Sequence, residues 1–463
     1  MSWGTADDID RTAKILIDAN RATDPTDASR VLENLVLQVA VGPDITIDPA
    51  AQAAVATVVN AGRRAFHGGV HATLAIDPVL TTGWTAGRTA SAVVTGYGGT
   101  LVDTLSDMHP TLVIGTPTIE VVGAPVLHLT WNGWSAGLVQ DRDERTRVCG
   151  IAPSGVLAAS LGISECFQQA LGAVVPGRRD VGLSLWRPDL DWHCADAAGP
   201  PLEYLPAAVW LLGLGHLGQA YAWTLGMLPY AVPGECHVAL MDFDIVVAGN
   251  TATQLLVTGG DVKRRKTRVA ADALESLGMR TRVVERAFDE HMHPVPHADP
   301  RHDEPLVALA GFDDPAPRRL LGRAGFERVV DAGIGAGPVE YLDMVLHTFP
   351  GSEDPSAAFP DVPPRRRALG DAYEAEIARQ TAAGAGEEAA SCGILDIAGV
   401  TVGAAFVGAV ASTLVVGDLL RVLHEGTEYS VVALDLHSPD GCKAVPNIAA
   451  GSYIPRATPA RPA

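Results

Sequence analysis

The sequence predicts an α/β protein built from two units, and three observations carry that expectation. A short apolar strand, Ala207-Ala208-Val209-Trp210-Leu211-Leu212, runs into Gly213-Leu214-Gly215-His216-Leu217-Gly218 and then into a helix, Gln219 to Leu228. Further strands come after it, His237-Val238-Ala239-Leu240-Met241 and one ending at Gly311-Phe312-Asp313-Asp314, and strands alternating with helices build a doubly wound, Rossmann-like sheet. All eight tryptophans lie between Trp3 and Trp223, which sets the first part of the chain apart from the last. The turn-rich stretch from Arg187 to Pro201 is the natural boundary, so residues 1–200 and 201–463 are read as two domains.

In chain order, the first domain opens with a helix from Asp8 to Asn20. Ser91-Ala92-Val93-Val94 and Thr111-Leu112-Val113-Ile114-Gly115 read as strands of an α/β unit. In the second domain, residues 351–391 hold four prolines, the run Arg365-Arg366-Arg367 and a small-residue stretch, and read as a mobile crossover loop with one short helix. Ile397 to Gly417 contains no charge, long enough for a membrane span. It is rich in Gly, Ala, Ser and Thr, has no basic flank, and continues into the amphipathic tail Asp418 to His424, so a buried core or interface helix is expected and no membrane. A faint repeat links Ser154–Leu161 before Glu165 with Val407–Leu414 before Asp418, the second pattern trailing the first by 253 residues. Two such helices can pack closely, within the chain as a pseudo-dimer or between chains as a homodimer.

Of the 463 residues 47% are hydrophobic and 19% charged, which excludes a disordered chain. The net charge of −20 repels phosphate backbones, so nucleic acid is not an expected partner. The six cysteines form no CxxC pair, which excludes a four-cysteine zinc site and fits a reduced, cytoplasmic setting. The start, MSWGTADDIDRTAKILIDANR, has no apolar h-region, so no secretory signal is expected.

The chemistry lies in the second domain. The glycine pattern lets a backbone approach a phosphate at a helix N-terminus, and alone it reads as NAD or FAD binding. The residues downstream of it point elsewhere. Asp242 and Asp244 end the next strand, either able to hold a ribose hydroxyl, and Asn250, Gln254, Lys266 and Asp313 come after them. A lysine and an aspartate facing phosphates suit an enzyme that splits ATP between its α and β phosphates, the lysine neutralising charge and the aspartate holding Mg²⁺.

The ordered set GLGHLG, MDFDIVVAGN, Gln254, Lys266 opening KTRVAADALESLG, and FDDPAPRRLL resembles the ThiF/MoeB/ubiquitin-activating (E1-like) superfamily over roughly residues 205–425. The resemblance implies adenylation of the C-terminal glycine of a ubiquitin-like protein. Gly213, Gly215 and Gly218 would cradle ATP, Asp244 would bind ribose, Asn250 and Gln254 would sit by the phosphates, Lys266 would bind phosphate and Asp313 Mg²⁺. Thr253 stands where the family often has an arginine, and Arg264, Arg265 or an arginine from the N-terminal region is expected to replace it. Residues 1–200 would be an inactive, degenerate copy of the adenylation fold. The resemblance also implies a bacterial ubiquitin-like conjugation pathway, with an antiphage role and an E2-like acceptor as extensions.

Cys392 ends the crossover loop, where relatives that pass their carrier to a thiol keep the cysteine, and a thiolate near Arg365, Arg366 and Arg367 would be activated. The other five cysteines read as structural. His291, His293, His297 and His302 lie among prolines and acids and read as a solvated connector rather than a metal site. Two alternatives stand beside protein conjugation: sulfur-carrier activation of the thiamine or molybdopterin type, and an NAD(P)-dependent oxidoreductase on the same glycine motif.

Overall fold

The computed structural model describes residues 3–144, 146, 148–295, 304–361, 369–383, 387–448 and 453–461. In the first half, β1 (Val36–Val41), β2 (Gly69–Leu74), β3 (Thr100–Leu101), β4 (Thr111–Ile114), β5 (Val126–Asn132), β6 (Ser135–Val139) and β7 (Val181–Ser184) form one sheet in the order β3-β2-β1-β4-β5-β6-β7. The strands from β3 through β5 are parallel, and β6 and β7 are antiparallel. A short ribbon joins β8 (Tyr204–Pro206) to β17 (Ala457–Pro459).

The second sheet repeats this plan. Its strands are β9 (Ala208–Leu212), β10 (His237–Met241), β11 (Arg280–Val284), β12 (Val307–Ala310), β13 (Arg328–Ile334), β14 (Asp343–Phe349), β15 (Tyr429–Asp435) and β16 (Lys443–Pro446). The order is β11-β10-β9-β12-β13-β14-β15-β16, parallel through β13 and antiparallel beyond it. It is the first sheet with one strand added. Strands β9 and β12 are buried throughout, which is why they read as unbroken apolar runs.

The faint sequence repeat falls on matching elements. Helix Ala152–Ala170 joins β6 to β7, and helix Ala405–Leu423 joins β14 to β15. The two helices pack against each other between the sheets, and one apolar core runs through both halves. Each crosses, at a glycine, the α-helix that comes after β1 or β9, the first strand of its own sheet in chain order. A Cβ on Gly155 would lie 1.9 Å from Ala50 O in helix Pro49–Gly62, and one on Gly408 would lie 2.5 Å from His216 Nε2 in helix His216–Gly226. Each also buries one acid, Glu165 paired with Arg179 at 2.6 Å and Asp418 paired with Arg328 at 2.6 Å and Arg421 at 2.8 Å. Helix Ala405–Leu423 is long and apolar enough to cross a membrane, yet its most apolar window is wholly buried in the fold.

Two expectations are corrected. Residues 91–94 are helical, within Ala90–Gly96: Thr89 Oγ1 accepts from Ala92 N at 3.2 Å, and Ala90, Val93 and Val94 are the buried face, a helical spacing. The 351–391 segment is not one loop with a short helix. Its described residues include helices Pro355–Ala358 and Asp371–Ala382 and the start of Glu387–Gly399. Helix Asp371–Ala382 is docked: the Tyr373 hydroxyl donates to Asp18, which also accepts from buried Lys14 Nζ at 2.7 Å, and Trp3 packs on the Tyr373 ring. Arg365, Arg366 and Arg367, like His297 and His302, lie outside the described residues.

Candidate functional site

The strand order reverses between β10-β9 and β12, and the carboxyl ends of those three strands form the crevice in which α/β sheets take ligands. Gly213 leaves β9 with φ of 80°, a left-handed conformation that only glycine adopts freely. Gly218 sits against the turn so closely that a Cβ would lie 1.8 Å from Gly213 O. Gly215, the N-cap of helix His216–Gly226, has open space where its Cβ would be. The motif therefore makes a tight turn, a bare helix N-terminus and an open face, a fit for a phosphate.

Asp242 ties the glycine loop to the strand beside it. Its Oδ2 accepts from Leu214 N at 2.6 Å and its Oδ1 from Asp244 N at 2.7 Å, so the half-buried carboxylate fixes the glycine loop to the end of β10. Asp244 is exposed and accepts from Lys266 Nζ at 2.7 Å, while Lys266 N donates to Asp244 O at 3.1 Å and opens helix Lys266–Ser276. Asn250 lies in the turn Ala248–Ala252, its Oδ1 accepting from Val247 N at 3.0 Å. Gln254 is buried, its Oε1 accepting from Gln219 Nε2 at 2.7 Å. Asp313 is exposed just past β12. Cys392 is exposed too, but within helix Glu387–Gly399 rather than in a loop. Cys149 and Cys194 of the first half are also exposed, whereas Cys166 and Cys236 are buried.

Thr253 is buried, and a Cβ on Gly403, at the entry to helix Ala405–Leu423, would lie 3.3 Å from its Cγ2. Of the arginines expected to replace it, Arg264 is taken up by Asp261 and Asp272, and Arg265 donates to Phe243 O. The N-terminal segment supplies another. Asp10 caps helix Arg11–Asp18, Asp7 O accepts from Gly249 N at 2.8 Å, and Arg11 O accepts from Gly403 N at 3.3 Å, which lays the segment over the crevice. The Arg11 guanidinium feels the charge of Asp313 as well as those of Asp7 and Asp10, and burial lowers its pKa. Its Nη1 is buried without a hydrogen-bond partner among the described residues. A buried cation with an unused N–H, near enough to feel the charge of Asp313, fits an anionic ligand. No sequence pattern singles out Arg11 among the N-terminal residues, because it lies outside the half that carries the glycine motif.

Residues 36–185 match the family described as BilD N-terminal domain, and residues 205–426 match BilD C-terminal domain. The bacterial E1-like protein BilD of Collimonas sp. (strain OK412) is 35% identical over 429 residues, covering 91% of this chain and 90% of that one. The chain belongs to the bacterial E1-like BilD family. The E1-like resemblance read from GLGHLG to FDDPAPRRLL is thus supported by a relative along most of the chain. Among solved structures, E. coli MccB aligns at 17% identity and a TM-score of 0.32, over 52% of this chain and 62% of that one. E. coli MccB with ATP aligns at 16% identity and 0.32, over 52% and 64%. The chain therefore spans less than two thirds of MccB's length.

Proposed function

We propose that this BilD-family chain adenylates the C-terminal carboxylate of a small ubiquitin-like protein ending in glycine, with Mg·ATP as co-substrate. The observation that carries the reading is the crevice itself: a bare helix N-terminus behind Gly213 and Gly218, with Lys266 paired to Asp244 and the charge of Asp313 reaching Arg11. The carrier carboxylate is already ionised, so attack on the α-phosphate needs no general base. It yields an acyl-adenylate and pyrophosphate. Gly215 and the backbone behind it hold phosphate, Lys266 exchanges Asp244 for phosphate oxygens, and Asp244 is released toward the ribose. Bound at Asp313, Mg²⁺ would neutralise charge developing on the departing pyrophosphate. Catalysis is then positioning and charge stabilisation.

The first half is read as the inactive copy. Where the second half leaves its helix N-terminus bare, the first fills the place with carboxylates. Asp48 caps helix Pro49–Gly62 and accepts from Trp131 Nε1 at 2.7 Å, and Asp44 accepts from Thr116 N at 2.5 Å across the ends of β1 and β4. An anion there meets fixed negative charge.

The test is exchange of labelled pyrophosphate into ATP by purified chain and its carrier. Exchange supports the reading, and tight NADH binding without exchange replaces it with an oxidoreductase. Arg11→Ala is expected to lower exchange by about 10²-fold, the effect of removing one preorganised donor from a developing charge. An unchanged rate would take Arg11 out of the site. The second step is read as thioester formation on Cys392. Cys392→Ala should leave exchange near normal and remove a carrier adduct that reducing agent cleaves on a gel. If the adduct persists in the variant, or never forms in the wild type, a separate sulfur or amine donor takes the adenylate.

A further inference from the structure

We infer that Asn60 and Arg64, in the first half, are positioning residues for the nucleotide crevice of the second: they hold the Thr251–Val257 segment, and through it the glycine loop. The inference rests on the proposed adenylation activity. Arg64 lies two residues beyond helix Pro49–Gly62 and is 4% exposed. Its Nη1 donates to Thr251 O, and its Nη2 donates to Val257 O at 3.0 Å, Leu255 O at 3.3 Å and Asn60 Oδ1 at 3.2 Å. Asn60 Nδ2 donates to Leu255 O at 3.0 Å. Two side chains of one half thus bind three main-chain carbonyls of an irregular segment in the other, and buried carbonyls outside a helix or ladder need such donors.

The segment they hold is joined to the crevice from its opposite side. Gln254 Oε1 accepts from Gln219 Nε2 at 2.7 Å, and Leu256 N donates to Gln219 Oε1 at 3.1 Å. Gln219 Nε2 also donates to Leu214 O at 3.3 Å, inside the glycine turn. A continuous set of bonds therefore runs from Asn60 and Arg64 through the 251–257 backbone and Gln219 to the loop that takes the phosphates. Burial lowers the Arg64 pKa to about 9, which still leaves it charged at neutral pH. No carboxylate pairs with it among the described residues, so its charge is directed at carbonyl oxygens. The inactive half then has a task beyond completing the core: it sets the shape of the active crevice.

The experiment compares full-length Asn60→Ala and Arg64→Lys with Thr57→Val, a control on the same helix. Thr57 Oγ1 accepts from Trp223 Nε1 at 3.1 Å, so Thr57→Val removes a bond between the halves that does not reach the 251–257 segment. KM for ATP and kcat are read by pyrophosphate exchange, with melting temperature alongside. Asn60→Ala and Arg64→Lys are expected to raise KM for ATP about tenfold, as for a lost buried hydrogen bond, with kcat within about threefold of wild type. Thr57→Val should lower the melting temperature comparably and leave KM unchanged. If all three variants keep the wild-type KM, or all three shift it alike, Asn60 and Arg64 are merely structural. If the wild type does not exchange pyrophosphate, the adenylation reading falls and this inference with it, whereas exchange in the wild type with unmoved variants overturns this inference alone.

Discussion

Asp313→Ala is expected to abolish pyrophosphate exchange, by about 10³-fold or more, while the melting temperature stays within a degree or two of wild type. The two halves of that expectation have separate physical grounds. Asp313 lies past the end of β12 and is exposed, so its removal opens no cavity and breaks no ladder. Its charge is one of three, with those of Asp7 and Asp10, that act on the Arg11 guanidinium. On the proposed reading, Mg²⁺ held at Asp313 would lose that ligand and Arg11 would lose one of the carboxylate charges acting on it, so stabilisation of the departing pyrophosphate would fall. Losing one such stabiliser typically costs 10²–10³-fold, and two coupled ones cost more. Asp313→Asn separates the contributions: it keeps the shape but not the charge, and raised Mg²⁺ should recover part of its activity. Full exchange in Asp313→Ala would remove the metal from this position and leave the E1-like assignment without its phosphate chemistry.

The glycine turn was legible because its constraints are local. Gly213 and Gly218 are demanded by a positive φ and by a backbone contact within one turn, and Lys266 opens its helix as the sequence reads. The repeat was legible only in part: small residues and one acid at matching places marked two helices, but the shared strand order of the two sheets leaves no trace in β1–β7 beyond ordinary apolar runs. Long-range features were out of reach. Asp242 offers the same residue type as Asp244, and only the bond from Leu214 N shows that it ties the loop. Arg11, Asn60 and Arg64 lie in the half that carries no motif, and their contacts with the second half arise only where the chain folds the two together. The 351–391 segment misled for the opposite reason. Its composition is that of a loop, yet Tyr373 has a distant partner in Asp18, and tertiary docking overrides local composition.

Gly408→Asp should leave no cooperatively folded protein at 37 °C, whereas Gly408→Ala should fold with reduced stability. Gly408 lies on the fully buried helix Ala405–Leu423, and a Cβ there would stand 2.5 Å from His216 Nε2 and 2.6 Å from Cδ2. A methyl group must therefore push the imidazole, at a cost of about 1–3 kcal/mol for overpacking, offset in part by about 1 kcal/mol of helix propensity gained over glycine. A carboxylate adds desolvation with no partner of its own, roughly 3–5 kcal/mol more, which is a large share of the 5–15 kcal/mol that holds a typical domain together. Burial lowers the His216 pKa to about 4, so at neutral pH the ring is uncharged and offers the new carboxylate no cation. Its Nε2 has no hydrogen-bond partner among the described residues. Only as an imidazolium could it pair with the aspartate, and that requires protonating the ring against the same burial. The decisive measurement is a double-mutant cycle in urea. In a His216→Ala background the ring is gone, so Gly408→Ala should become neutral or stabilising, with a coupling of about 1–3 kcal/mol. An equal cost for Gly408→Ala in both backgrounds would show that the glycine serves another neighbour, and that the core helix does not bear on the phosphate loop through His216.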